Sequence, residues 1–336
     1  MELKTLCDMN GTSGDEKLVR RAVMEEAKKY TDDVKIDRMG NVIARKKGTD
    51  GQNRPLLLFS AHMDEVGFII TGATEEGLLT FKPVGGIDPR VCVSKHVKIG
   101  DEGLDGVIGS MAIHLQTKEM RARVLHFDEL YIDIGAKSKE EALGKVSPAT
   151  YAYFSSEFVP FGQGYVTAKA LDDRVGCYNL LRILQGSYAC DIICAFVVQE
   201  EVGCRGALGA GFAIQPDIVI NLECTASGDM CNVPETRKIL NCGKGVSISF
   251  MDSASIADRK LYNTMMTLAD EKGIPHQPKR GTTGGNDAGA YQRAGKGAKT
   301  CVLSVPCRYI HGPSSVCALS DIDAQCDLSM AFAQTL

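Results

Sequence analysis

The sequence predicts an α/β fold: a mainly parallel sheet flanked by helices, with a small all-β domain inserted into it. Three observations carry this. Continuous apolar runs such as PLLLFS (55–60), DIICAFVV (191–198) and DIVINL (217–222) have the length and character of buried strands. Stretches of helical character alternate with them, which argues for a parallel sheet covered by helices. From 68 to 165 the texture changes to short alternating segments broken by glycine, as in GFIITGATEEGLLTFKPVGG and MRARVLHFDELYIDIGA, the pattern of a barrel or sandwich. The expected division is therefore an α/β domain over 1–67 plus 166–336 and a β-barrel-like insertion over 68–165.

The elements follow in order. TSGDEKLVRRAVMEEAKKY reads as a helix, with Ser13 and Glu16 as a capping box and Leu18, Val19, Ala22, Val23 and Ala27 as its apolar stripe. VKIDRMGNVIARKKG is hairpin-like, with Gly40-Asn41 at the turn. PLLLFS is a buried strand that runs into AHMDEVG. Beyond the β unit come a helix at about 173–185, a strand at 191–198, a helix-like GCRGALGAGFA and a strand at 217–222. A helix at about 257–272 and a strand at about 299–305 complete the alternation.

Composition narrows the function. With 336 residues, 44% hydrophobic and 24% charged, the chain is long enough for a large core and two domains. A net charge of −4 argues against nucleic acid or an anionic membrane as partner. No apolar run approaches the ~20 residues of a membrane span, and MELKTLCDMNGTSGDE lacks the apolar region of a signal peptide. Thirteen cysteines, an odd number with no Cys-x-x-Cys pair, fit a reduced cytoplasmic compartment better than a disulfide framework. Most, such as Cys194 and Cys301, sit in apolar runs and read as small buried hydrophobes.

The stretch VVQEEVG (197–203) poses the chemical question, because two adjacent carboxylates at a strand end repel each other and resist burial. Other polar residues also follow the apolar strands: His62 and Asp64 after PLLLFSA, Glu223 after DIVINL, His311 after CVLSVPCRYI. Asp172 and Asp173 precede the helix DRVGCYNLLRIL. In open α/β sheets the C-terminal strand ends and the helix N-termini share one edge, where ligands bind. Two histidines and several acids therefore converge, and a multivalent cation relieves their repulsion. Histidine and carboxylate donors without thiolates suit Zn²⁺, Co²⁺ or Mn²⁺. So many donors suit two ions sharing a bridging carboxylate. Of the two adjacent glutamates, one can bind metal while the other acts as general base on an activated water. Taken singly, each piece has a plainer reading: a structural His-x-Asp, a helix-capping Asp-Asp, a solvated Glu-Glu edge, a core histidine.

The segments SAHMDEVGFI, AKALDDRVG, VQEEVGCRGA, NLECTASGD, GGNDAG and CRYIHGP together resemble the motifs of the tetrahedral (TET) aminopeptidases, peptidase family 42 of the metallo class, over essentially the whole chain. The resemblance implies a zinc-peptidase-like fold and two divalent metal ions per subunit. It places His62, Asp172 and Glu223 on one ion and Asp172, Glu201 and His311 on the other. It makes Glu200 the general base and gives Asp64 the task of orienting His62. It also implies a cis peptide between Asp172 and Asp173, peptide substrates with a free N-terminus, and a homo-oligomer in which the β insertion mediates dimer contacts and dimers build a hollow dodecamer. Two departures stand out: Glu223 where many members carry Asp, and Asn286 where Thr is common.

Rival readings are a related metallo-deacylase or carboxypeptidase, a glycoside hydrolase and a non-catalytic scaffold. In the first the extra domain usually follows the third acidic motif, whereas here it lies between His62 and Asp172. A glycosidase needs paired carboxylates but not two strand-end histidines, and this chain has no tryptophan for sugar stacking. A scaffold is expected to have lost ligands or base. His96, His114 and His126 read as surface or packing residues. Arg308, Lys279 and Arg280 are candidate cations for an acidic substrate side chain, and Gly243–Gly245 lacks the spacing of a phosphate loop.

Overall fold

A computed structural model of the chain describes residues 1–51 and 54–336. The N-terminal part carries α1 (Leu3–Asp8), α2 (Lys17–Ala27), β1 (Asp33–Ile36), β2 (Val42–Lys46) and β3 (Leu57–His62). Next come β4 (Gly67–Ala73), β5 (Leu79–Val84), β6 (His96–Ile99), β7 (Leu104–Ser110), α3 (Lys118–Ala122), β8 (Leu130–Asp133), α4 (Lys139–Lys145) and β9 (Tyr151–Phe154). After β10 (Val159–Phe161) and β11 (Tyr165–Ala168) the chain runs through α5 (Leu171–Ile183), β12 (Ile192–Val197), α6 (Arg205–Ile214) and β13 (Ile218–Ala226). It ends with β14 (Val246–Ser249), α7 (Arg259–Lys272), β15 (His276–Pro278), α8 (Asp287–Arg293), β16 (Lys299–Cys307), β17 (Ser315–Ala318) and α9 (Leu319–Ala333).

An eight-stranded sheet has the order β1-β2-β12-β3-β13-β16-β14-β15. Its four central strands, β12, β3, β13 and β16, are mutually parallel. The hairpin β1–β2 and strand β14 join antiparallel at either side. Both faces are covered, which is why the central strands are apolar at most positions. Leu57, Phe59 and Ala61 enter the large core with residues of α2, α5, α7 and α9. Leu58, between them, enters a second cluster with Ala207 and Ala210 of α6 and Ala290 and Tyr291 of α8.

Strands β4-β5-β8-β7-β6-β9 close a barrel whose interior is filled by Phe68, Phe81, Ile108, Ile132 and Phe154. Phe68 meets Phe81 and Phe154 edge-on at 5.1 Å. This stretch also holds the short helices α3 and α4, where the alternating pattern predicted strands alone. Thr117 and Ser138 start them by accepting the backbone N–H groups of Met120 and Glu141.

The expected capping box at α2 does not form. The helix begins at Lys17 without a side-chain cap, because Ser13 donates its hydroxyl to the buried Asp64 at 2.6 Å instead. The Gly-Lys-Gly loop is closed by the chain itself. The N–H groups of Gly243 and Gly245 both bind the carboxylate of Asp321, at 2.6 and 2.7 Å.

Candidate active site

The parallel run of β12, β3, β13 and β16 puts their C-terminal ends on one edge. His62 closes β3, Glu200 and Glu201 follow β12, Glu223 lies in β13, and His311 sits on the turn after β16. Asp172 enters from the start of α5, and its peptide bond to Asp173 is cis. These residues line a cleft of about 470 Å³ together with Cys204, Lys279, Thr283 and Asn286.

Asp172 is the hub. One oxygen lies 3.4 Å from His62 Nε2, the other 3.3 Å from His311 Nε2. The first side is completed by Glu223, 3.6 Å from His62 Nε2. The second is completed by Glu201, 3.3 Å from His311 Nε2. His62, Asp172 and Glu201 offer donor atoms all within 4.8 Å of one another, as do His62, Asp173 and Glu223. The Oδ1 atom of Asp172 is buried and lacks a hydrogen-bond donor.

Asp64 organises this edge from beneath. It accepts the backbone N–H groups of Glu200 and Glu201 at 3.0 and 3.2 Å, and its carboxylate lies 3.6 Å from His62 Nδ1. The His62 Nδ1 also meets the Asp64 backbone carbonyl at 3.1 Å. One buried acid thus fixes the ring of His62 and the backbone of both glutamates.

The electrostatics are those of crowded acids short of cations. Burial pushes Glu200 up to about 7, against the pull of His62, and Glu201 up to about 8, against His311. Burial likewise raises Glu223 well above the carboxylate range. Burial would also raise Asp172, but the two imidazoles overrule it and hold this carboxyl below its usual range.

All seven residues singled out in the sequence, His62, Asp64, Asp172, Glu200, Glu201, Glu223 and His311, are brought together. Asp173 lies among the donors too, although it accepts the N–H groups of His62 and Gly176. Sequence reasoning missed Asp287 and Cys204, whose donor atoms lie within 4.8 Å of those of Glu200. The GGNDAG motif carries the signal for Asp287, directly beside Asn286, which departs from the Thr common in the family. Of the three candidate cations only Lys279 faces the cleft. Arg308 is held by Asp229 at 2.6 and 2.9 Å, and Arg280 is exposed beside Glu235. Asn286 caps α8 and donates to Asp252 at 2.8 Å. His96, His114 and His126 are exposed on the barrel segment.

Comparison with known proteins places this geometry. A putative aminopeptidase of Acetivibrio thermocellus is 36% identical over 324 residues, covering 96% of this chain and 94% of the relative. The crystal structure of a TET aminopeptidase from the marine sediment archaeon Thaumarchaeota archaeon SCGC AB-539-E09 superposes with a TM-score of 0.95 at 30% identity, over 99% of this chain and 95% of that one. The TET1 peptidase of Pyrococcus horikoshii, which can assemble into a tetrahedron or a large octahedral shell, gives 0.87 at 35% identity, over 99% and 98%. The family model for M42 glutamyl aminopeptidase matches residues 40–328. With motifs, fold and strand-edge acids in agreement, the chain belongs to the M42 aminopeptidase family.

Proposed function

We propose that this peptide hydrolase is a dinuclear metalloaminopeptidase, removing single residues from peptides with a free N-terminus. The observation that carries the reading is Asp172, whose two oxygens are divided between two imidazoles while Oδ1 is buried without a donor. A carboxylate so placed fits a bridge between two cations. His62, Asp172 and Glu223 would hold one, and Asp172, Glu201 and His311 the other. The donor set of imidazole and carboxylate fits Zn²⁺, Co²⁺ or Mn²⁺. When bound, such ions supply Lewis-acid polarisation of the scissile carbonyl and a more acidic attacking water.

The chain's own groups do the rest. Glu200, on backbone fixed by Asp64, takes the proton of the attacking water and returns it to the departing amine. Its elevated pKa suits both transfers. The acids at the cleft receive the substrate's α-ammonium group, so an acylated N-terminus is refused. Lys279 is 5% exposed, lines the cleft and has no ion-pair partner among the described residues. Burial lowers its pKa, and Asp252 and Glu223 pull it back up. It would favour substrates whose first side chain is acidic.

In this reading 1–67 plus 166–336 form the catalytic domain. The barrel region, 68–165, is an inserted domain that mediates dimer contacts in a homo-oligomer, with dimers building a dodecamer. The cytoplasm, a reducing compartment, fits thirteen cysteines that form no disulfide.

The deciding experiment is hydrolysis of aminoacyl-p-nitroanilides and their N-acetylated counterparts, after chelation and after adding back Co²⁺, Zn²⁺ or Mn²⁺. Metal-restored cleavage of free-amine substrates alone is expected. Cleavage of the acetylated series would instead make the enzyme a deacylase or endopeptidase.

A further inference from the structure

Three donors beside the proposed two-ion set share none of its atoms. The carboxylate of Glu200, the thiol of Cys204 and the carboxylate of Asp287 lie within 4.8 Å of one another. The local fold explains the first pair. The N–H groups of Gly203 and Cys204 both return to the Glu200 carbonyl, the latter at 2.9 Å, closing a tight turn. Cys204 then starts α6 in a left-handed conformation, φ 54°. Its Sγ comes back to within 3.6 Å of Glu200 Oε1. A tetrahedral zinc with oxygen at about 2.0 Å and sulfur at about 2.3 Å separates those two ligand atoms by about 3.5 Å.

Asp287 supplies an independent observation. It opens α8 and is 0% exposed, yet neither carboxylate oxygen has a hydrogen-bond donor. A buried carboxylate in that state is strongly disfavoured unless a proton or a cation neutralises it. Glu200 and Cys204 line the cleft, so an ion from solvent can reach the group. A donor set of two oxygens and one thiolate selects borderline and soft cations over hard ones.

We infer that Glu200, Cys204 and Asp287 form an additional, inhibitory site for a thiophilic divalent cation, of which Zn²⁺ and Cd²⁺ are representative. Binding displaces the thiol proton, and any proton on the two carboxyls, to solvent. The ion occupies the Glu200 carboxylate and so withdraws it from proton transfer. The inhibition rests on the role proposed for Glu200, whereas the binding does not.

The test uses enzyme loaded with Mn²⁺, which has little affinity for thiolates, and then titrated with Cd²⁺. The readouts are the near-ultraviolet cadmium–thiolate absorption and, in the same samples, turnover. Wild type should gain one saturable equivalent of the band, with turnover falling in step. Cys204→Ser and Cys204→Ala should lose the band and resist inhibition, whereas Cys231→Ser, which removes the exposed thiol, should retain both. Asp287→Asn should weaken Cd²⁺ binding at least tenfold. Absence of the band in wild type, or an unchanged band in both Cys204 variants, overturns the site. A normal band with turnover intact overturns the inhibition, by showing that Glu200 is not the base.

Discussion

Two sites of buried acid lie side by side, sharing two stretches of chain, and they are neutralised in opposite ways. In the first, Glu65 is 2% exposed and is met by Lys169 at 2.6 and 2.7 Å, by Arg174 at 3.3 Å and by the Gly11 N–H at 2.9 Å. Arg174, fully buried, gives its other N–H groups to the carbonyls of Leu6, Met9 and Met63. In the second, Asp172, Glu200, Glu201, Glu223 and Asp287 face two imidazoles and are in no ion pair with lysine or arginine among the described residues. His62 and Asp64 stand just before Glu65, and Asp172 just before Arg174. One cluster is complete within the protein and locks the backbone. The other is left short of positive charge by that same backbone, and it is there that external cations fit. Burial of acid alone therefore does not mark a functional site; burial without internal compensation does.

The comparison can be broken at several points. The largest effect is expected for Glu200→Gln, which should keep its metal and fold but lose about 10³-fold in kcat. A variant within tenfold of wild type would remove Glu200 from the chemistry. Lys169→Met attacks the compensated cluster and should cost about 3 kcal/mol in denaturant unfolding, with metal affinity of the folded protein unchanged. A fall in affinity would show that the two clusters are not independent. Asp64→Asn, which disturbs the fixing of His62 and both glutamates, should weaken metal binding by about 10–100-fold in a competition titration with a chelator.

The smallest effect sharpens the contrast through pH. In metal-free protein Glu201 holds its proton up to about 8, against an ordinary value of 4.5. The folded state therefore binds more protons than the unfolded state between those values. Glu201 then lowers stability as pH rises through that window, by on the order of 1 kcal/mol per pH unit at most. Glu201→Gln should flatten that slope in thermal melts without metal. An equal slope in wild type and variant would show that the acid is compensated after all.

Much of this was legible along the chain. His62, Glu200, Glu201, Glu223 and His311 each stand at or just beyond an apolar run, and parallel strands bring such positions to one edge whatever the loops do. Lys279 and Asp287 were harder. The first lies just past a three-residue edge strand and the second at the start of a short helix, so no strong local periodicity points to either. Cys204, between Gly203 and Arg205, has no motif spacing of its own, and only the turn after Glu200 folds its sulfur back to the acid. Ser13 misled for a related reason. Its spacing to Glu16 is that of a helix cap, but a buried carboxylate from far along the chain took its hydroxyl. Local rules named the donor, and tertiary structure chose the acceptor.

The donors that surround Asp172 are scattered from His62 to His311, across most of the 336 residues. A chain still emerging from the ribosome carries its acids and first histidine long before the last imidazole exists. The complete donor set exists only once His311 has joined the fold. An ion that needs the full proposed donor set is therefore bound only after the last imidazole is in place, and it reflects the pool that the folded domain meets.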